Sequence, residues 1–377
     1  MNVSTARGVP PILTKILVLG TLFVVLAGAA VTSTESGMAD ESWPTFEERW
    51  YPSVPDMIED KGKFFEHGHR TVAGSVVIFT WVVAILLTRS APGRSKRLLL
   101  GGTLAVVAGG VTYIGLGLAS DQLTPMRAPI MAIATIACFF VFAIHLVCVT
   151  AGVVRVGWGA AAMGLLPALL GGLTVLYNTP PELSAVHVGL AMLFLAFNTS
   201  LAVVTGRSWE ARLSVSLSEA LTDDLRWLVR GSVLLAIVVY TQIILGAVLR
   251  HADRGIVLHV IWAFVVLTAV CIVTSRIFGR HGSISELLRP SVLLMVILLA
   301  QFFFGVVTYV TRPEGIDDPG SDLHQVIATL HQVVGAIMWM TSIVLALRLF
   351  RFQSRSEAQP SVLNTALVVD AAEEGAA

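Results

Sequence analysis

Ten stretches of this chain are apolar over roughly 20 residues each, long enough to cross the hydrocarbon of a bilayer as helices. They lie near 13–33, 69–88, 98–118, 128–151, 157–176, 185–205, 228–249, 256–275, 290–311 and 325–349. In lipid the backbone must satisfy its own N–H and C=O groups, so few folds remain open. Only 13% of residues are charged, about half the share of a soluble domain, while 55% are hydrophobic. The chain therefore reads as all-α, a polytopic membrane helical bundle of about ten transmembrane helices. The first run carries Ala27-Gly28-Ala29, which resembles a signal-peptide cleavage site. It reads instead as a span, because the same small-residue ending recurs later in the chain.

Loop charge gives an orientation. The segments 89–97, Arg155, 275–282 and 348–355 are basic and alternate with the acid-rich loops 33–66 and 311–323. The acids there are Glu35, Asp40, Glu41, Glu47, Glu48, Asp317 and Asp318. By the positive-inside rule this places both termini in the cytoplasm, as expected for a multi-pass protein of the cell inner membrane. The polar loop 206–227 reads as a cytoplasmic linker between an N-terminal bundle, 1–205, and a C-terminal four-helix bundle, 228–350. The two form pseudo-symmetric halves, with 98–151 an extra hairpin in the first. The tail 351–377 reads as disordered. Net charge is zero, and no basic patch with interleaved aromatics points to nucleic acid. Cys138, Cys148 and Cys271 fall in apolar runs, without a disulfide frame or CxxC spacing, and read as buried structural residues.

Against this background four histidines stand out. His69, His187, His259 and His331 each open a different apolar run, and each follows a run ending in small residues: AGAAVTST, LLGGLTVLY, ILGAVLRH and FFGVVTYVT. Imidazole is costly to hide in hydrocarbon, so a repeated intramembrane His marks a functional site. A single such His is more often a packing residue. Four at matched positions suggest two pairs, each gripping a heme iron between facing helices near the extracytoplasmic side. The glycines of the preceding helices, Gly109, Gly110, Gly171, Gly172, Gly246 and Gly305, allow close helix approach or leave flat space. The hairpin 98–151 has a His only near its inner end, His145, and reads as ligand-free.

In EHGHR, residues 66–70, Glu66 and His69 share a helix face, three residues apart. No other His of the four has a carboxylate at that spacing, so the first pair is the candidate for chemistry, with Glu66 as its proton-handling group. Helix-dipole compensation is the plainer account of Glu66 taken alone. Arg70 and Arg250 are candidates to meet carboxylates of a bound macrocycle, although interfacial arginines commonly reach for lipid headgroups. Gln242 and Gln301 read as interhelical hydrogen-bonding residues. His67, His251, His281 and His324 fall in loops or at edges and receive no iron.

Several strings in order resemble the heme A synthase family: VVLAGAAVTSTESGMADESWP, EHGHRTVAG, LLGGLTVLYNTPPELSAVHVGLA, QIILGAVLRHADRGIVLH, and QFFFGVVTYVT with LHQVVGA. The resemblance implies an enzyme that oxidises a ring methyl of heme O to the formyl group of heme A. It implies substrate heme at His69 and His187, heme b at His259 and His331, and an essential glutamate at Glu66. It further implies a heme O synthase upstream and a heme-copper terminal oxidase as consumer. The chain departs from the family in its extra hairpin, in a first outer loop without cysteine and in a short fourth outer loop. A diheme cytochrome passing electrons between quinone and an outer-face partner would use the same histidines and need no glutamate. A transporter built on repeats would bind no iron.

Overall fold

In the computed structural model the apolar runs are helices, and eight are long and apolar enough to cross a membrane. The structure describes residues 9–47, 49, 51–90, 93, 152–210, 219–313 and 320–374. The spans are α1 (Pro11–Ser33), α2 (Lys61–Leu87), α3 (Gly152–Leu176), α4 (Pro181–Val204), α5 (Glu219–Ala252), α6 (Ile256–His281), α7 (Ser285–Val310) and α8 (Asp322–Glu374). Among the described residues there is no β-strand, only one isolated bridge between Phe46 and Arg49. The runs expected near 98–118 and 128–151, with His145, Cys138 and Cys148, lie outside the described residues, as do Asp317 and Asp318. What is described is an all-helical, multi-pass membrane protein.

Helix starts follow local chemistry. Pro11 and Pro181 occupy first-turn positions, where a missing N–H costs nothing. The Asp60 carboxylate caps α2, accepting the backbone N–H of Gly62 at 2.7 Å and of Lys63 at 3.2 Å. Between α5 and α6 the chain reverses through Asp253 and Gly255, both left-handed, with φ of 47° and 86°. Glycine is the residue that takes such a φ without strain. Two expected boundaries shift. α5 begins at Glu219, inside the stretch read as linker, and α8 continues to Glu374 through the stretch read as a disordered tail. Ala, Leu and Glu in those segments are good helix formers, which a reading by polarity alone passes over.

α1 packs on α2 and α4, and α3 packs on the same two helices; α5 and α7 likewise both pack on α6 and α8. Contacts of α1 with α8 and of α4 with both α5 and α8 join the sets. Two buried apolar clusters follow this division except at α4, which contributes to both. One holds Leu17, Val83, Leu87, Trp158 and Leu201, the other Leu195, Leu235, Val270, Leu294 and Leu345. Hydrophobic force does little between helices already in lipid, so packing and polar contacts matter more. Indole N–H groups donate to helix carbonyls, Trp339 to Met192 at 2.8 Å and Trp262 to Val238 at 2.9 Å. Asn198 donates to the Thr21 hydroxyl at 2.9 Å, tying α4 to α1. Each such bond contributes about 1 kcal/mol in a bilayer. Exposed Val260, Phe264, Val296, Leu299 and Phe303 on α6 and α7 make an outward face suited to acyl chains.

Candidate functional site

Each of the four histidines lies in the first three turns of its helix and faces a glycine in the last two turns of the helix before it. His69 lies against Gly28, His187 against Gly171, His259 against Gly246 and His331 against Gly305. A Cβ placed on these glycines would stand 2.9, 3.0, 3.0 and 3.2 Å from the respective imidazole Cε1. In every case Nδ1 is the next closest atom and Nε2 the farthest of the three. The four sites are thus one local design used four times, with glycine letting the imidazole lie closer to the neighbouring helix than a side chain would comfortably allow. Of the glycines singled out from sequence, Gly172 serves differently, meeting the Trp43 ring. Gly109 and Gly110 lie outside the described residues.

The residue four positions before each glycine completes the seat. The backbones of Val24, Pro167 and Gln301 face His69, His187 and His331, without closing a normal hydrogen bond to Nδ1. In the C-terminal set this position is glutamine. Gln242 Nε2 donates to the His259 carbonyl at 3.1 Å and lies 3.2 and 3.3 Å from the ring nitrogens, and Gln301 Nε2 donates to the His331 carbonyl at 3.1 Å. Both act between helices, as their placement in sequence suggested. A ring protonated on Nδ1 offers its Nε2 lone pair to a ligand; at His259 the Gln242 amide stands 3.2 Å from that atom.

His259 and His331 face one another, with ring centroids 6.5 Å apart and planes crossed at 73°. That separation suits a six-coordinate metal between two imidazoles. Two metal–nitrogen bonds of about 2 Å plus roughly 1 Å from each nitrogen to its ring centre give about 6 Å. His69 and His187 are close enough to interact electrostatically. The Nδ1 atoms of His69, His187 and His331 are buried without a hydrogen-bond partner. The separation of His259 and His331 fits axial ligation of a heme. Among the described residues no group of three or more His, Cys, Asp or Glu could hold a metal ion.

Next to His69 the segment between α1 and α2 is bound to α2 by a buried polar cluster, with Asp40 4%, Glu66 3% and His67 1% exposed. Glu66 accepts the Asp40 backbone N–H at 2.7 Å and pairs with Arg70. Arg70 also donates to the carbonyls of Asp40 and Ser42, each at 2.7 Å. The Asp40 carboxylate accepts from the Ser42 hydroxyl at 2.6 Å and meets His67 Nε2 at 2.9 Å, and the Phe46 ring lies edge-on to His67 at 5.0 Å. His67 is therefore a buried helix residue and not a loop residue. Nothing in the sequence pattern pairs it with Asp40, which lies 27 residues earlier in the loop before α2. Both terminal nitrogens of Arg70 are engaged in this cluster.

Asp40→Ala is expected to leave Arg70 and His67 short of acceptors and to destabilise the protein by about 3 kcal/mol, read as faster proteolysis within 36–60. Burial raises the Asp40 carboxyl, but hydrogen bonds from Ser42 and His67 and the Arg70 charge outweigh it, holding Asp40 below its ordinary 3.8. A depressed carboxylate contributes stability that is full above its unfolded value and is lost as pH falls through the folded one. The segment should thus stay protected down to about pH 4 and open only in stronger acid, followed by hydrogen exchange.

Arg250, in the last turn of α5, donates to the Thr32 carbonyl at 2.6 Å and pairs with Glu35, joining α5 to the end of α1. His251 beside it interacts with both Arg250 and His187. At the opposite end of the bundle Asp224 accepts from Arg276 Nε at 2.6 Å and meets His281 Nε2 at 2.6 Å, with His281 1% exposed. His281, read as an edge residue, is likewise buried. Cys271 is a free, half-buried thiol. The arrangement defines a helical membrane protein with paired imidazoles at one end of its bundle. The chain matches no family model, and no curated protein matches it.

Proposed function

We propose that this protein is a heme A synthase, oxidising a ring methyl of heme O to the formyl group of heme A. One observation supports the reading most: two imidazoles with centroids 6.5 Å apart, each seated on a glycine, with the same glycine seat under His69 and under His187. On this reading helices α1–α4 and α5–α8 are pseudo-symmetric halves of a bundle with an additional hairpin at 98–151. The basic loops lie in the cytoplasm and the histidine ends lie toward the extracytoplasmic face of the cell inner membrane.

His69 and His187 would hold the substrate heme, and His259 and His331 a heme b. Heme iron supplies the one-electron chemistry that the protein's own side chains lack. The chain's work is to position and to manage protons. The glycine seats fix the imidazole planes, which orients the bound ring. Glu66, one turn before His69 on the same helix, would be the acid–base group, and the hydrogen bonds it accepts from the Asp40 N–H and Arg70 set its direction. The short outer turn with Arg250 and Glu35 closes the seam between the halves. Heme O comes from a heme O synthase, and heme A goes to a heme-copper terminal oxidase.

Cells supplied with heme O and making this protein should accumulate heme A. A folded protein yielding only heme O and heme B would overturn the assignment. A diheme electron carrier is the second reading, favoured by the structural employment of Glu66 in holding the outer segment. Glu66→Gln keeps the size of the side chain and removes its charge. The synthase should lose heme A formation by about 100-fold while retaining heme, whereas a carrier would keep its redox activity.

A further inference from the structure

At the end of the bundle away from the histidines, α1, α4 and α8 leave a cavity of about 890 Å³, within the size range of sites for small amphipathic ligands. Its walls are apolar, with Val18 and Leu19 on one side and Met340 and Val344 on the other. Its rim is not. Lys15, Arg207, Arg348 and Arg351 border it, against a single carboxylate, Glu286. Arg348 donates to the Glu286 carbonyl at 2.7 Å, and Arg351 reaches the Glu286 carboxylate at 3.3 Å and the Trp209 ring at 5.8 Å. Among the described residues Lys15 and Arg207 form no ion pair, and both are exposed. Lys15 is the fifth residue of α1, between Thr14 and Ile16 and with Leu13 and Leu17 beyond them.

We propose that this groove binds one diacyl lipid with an anionic phosphate headgroup. Its acyl chains lie along α1 and α8, and its phosphate meets Lys15 and Arg207, with Arg348 and Arg351 behind them. A zwitterionic lipid brings its own cation to a rim already rich in cations, so the charge balance selects an anionic one. A soluble phosphate would meet the charges but leave the apolar walls bare. Because α1 packs in the first set of helices and α8 in the second, the lipid would bridge the two sets. The site depends on the membrane fold alone and not on heme.

The test is native mass spectrometry of the full chain released from bilayer discs of equal phosphatidylglycerol and phosphatidylcholine. Wild type should retain one phosphatidylglycerol in preference to phosphatidylcholine. The double variant Lys15→Gln/Arg207→Gln should lose that preference by about tenfold. Val344→Phe, which fills the groove without altering its charge, should lose the bound lipid as well. Arg230→Gln, an exposed cation on α5 outside the groove, should leave it unchanged. Adding inorganic phosphate should not displace the lipid. No preference in wild type, equal loss in Arg230→Gln, or displacement by phosphate would each overturn the proposal.

Discussion

Replacing His331 with alanine is expected to remove the heme of the C-terminal pair and leave that of the N-terminal pair in place. Removing even an outer-shell partner of a metal ligand weakens binding by about 10–100-fold, and removing an axial ligand goes further. The fold should tolerate the change, because His331 lies at a half-buried seam and its seat at Gly305 loses a contact and not a support. His259→Ala should behave the same way, since the two rings face each other at 6.5 Å. His69→Ala and His187→Ala should instead remove the other heme and abolish product. The readout is heme content per chain, with pigment identity from chromatography. Equal heme in His331→Ala and wild type would show that this imidazole binds no iron.

The second large effect needs no histidine to be touched. Gly246→Leu should empty the C-terminal site as effectively as His259→Ala, because its Cβ alone would stand 3.0 Å from the imidazole and the rest of the side chain has nowhere to go. Overpacking of this kind costs about 1–3 kcal/mol even in cores that can adjust. Here the ring must turn to yield, and a turned ring no longer opposes its partner. Gly246→Ala should be milder, since alanine improves the helix by about 1 kcal/mol while asking the ring to move a few tenths of an ångström. Gly28 should be the least tolerant of the four, with the closest approach at 2.9 Å. Heme content compared across the four Gly→Ala variants checks the order.

The helices and the four histidines were legible because hydrocarbon is a severe filter. A run of apolar residues has one stable backbone there, and an imidazole inside it needs a reason. The small-residue helix ends were legible as a repeated string, while their purpose was not. Proximity of Gly171 to His187 or Gly305 to His331 depends on how two helices meet, which a string of letters does not encode. The polar cluster around Glu66 was half legible. Glu66, His69 and Arg70 share one helix and obey its spacing, but Asp40 and His67 meet only through an irregular segment with no periodicity. His281 looked peripheral because it ends a helix, and it is buried because Asp224 starts the neighbouring one.

The paired imidazoles carry the whole account, and visible absorption of the purified protein, followed by extraction and chromatography of its pigment, tests them most directly. The account predicts a low-spin, six-coordinate heme spectrum from two sites, heme B from one and heme O or heme A from the other. The spectrum should lose one component in His331→Ala and the other in His187→Ala. A folded protein without a Soret band, or one whose spectrum is unchanged by both substitutions, would contradict it.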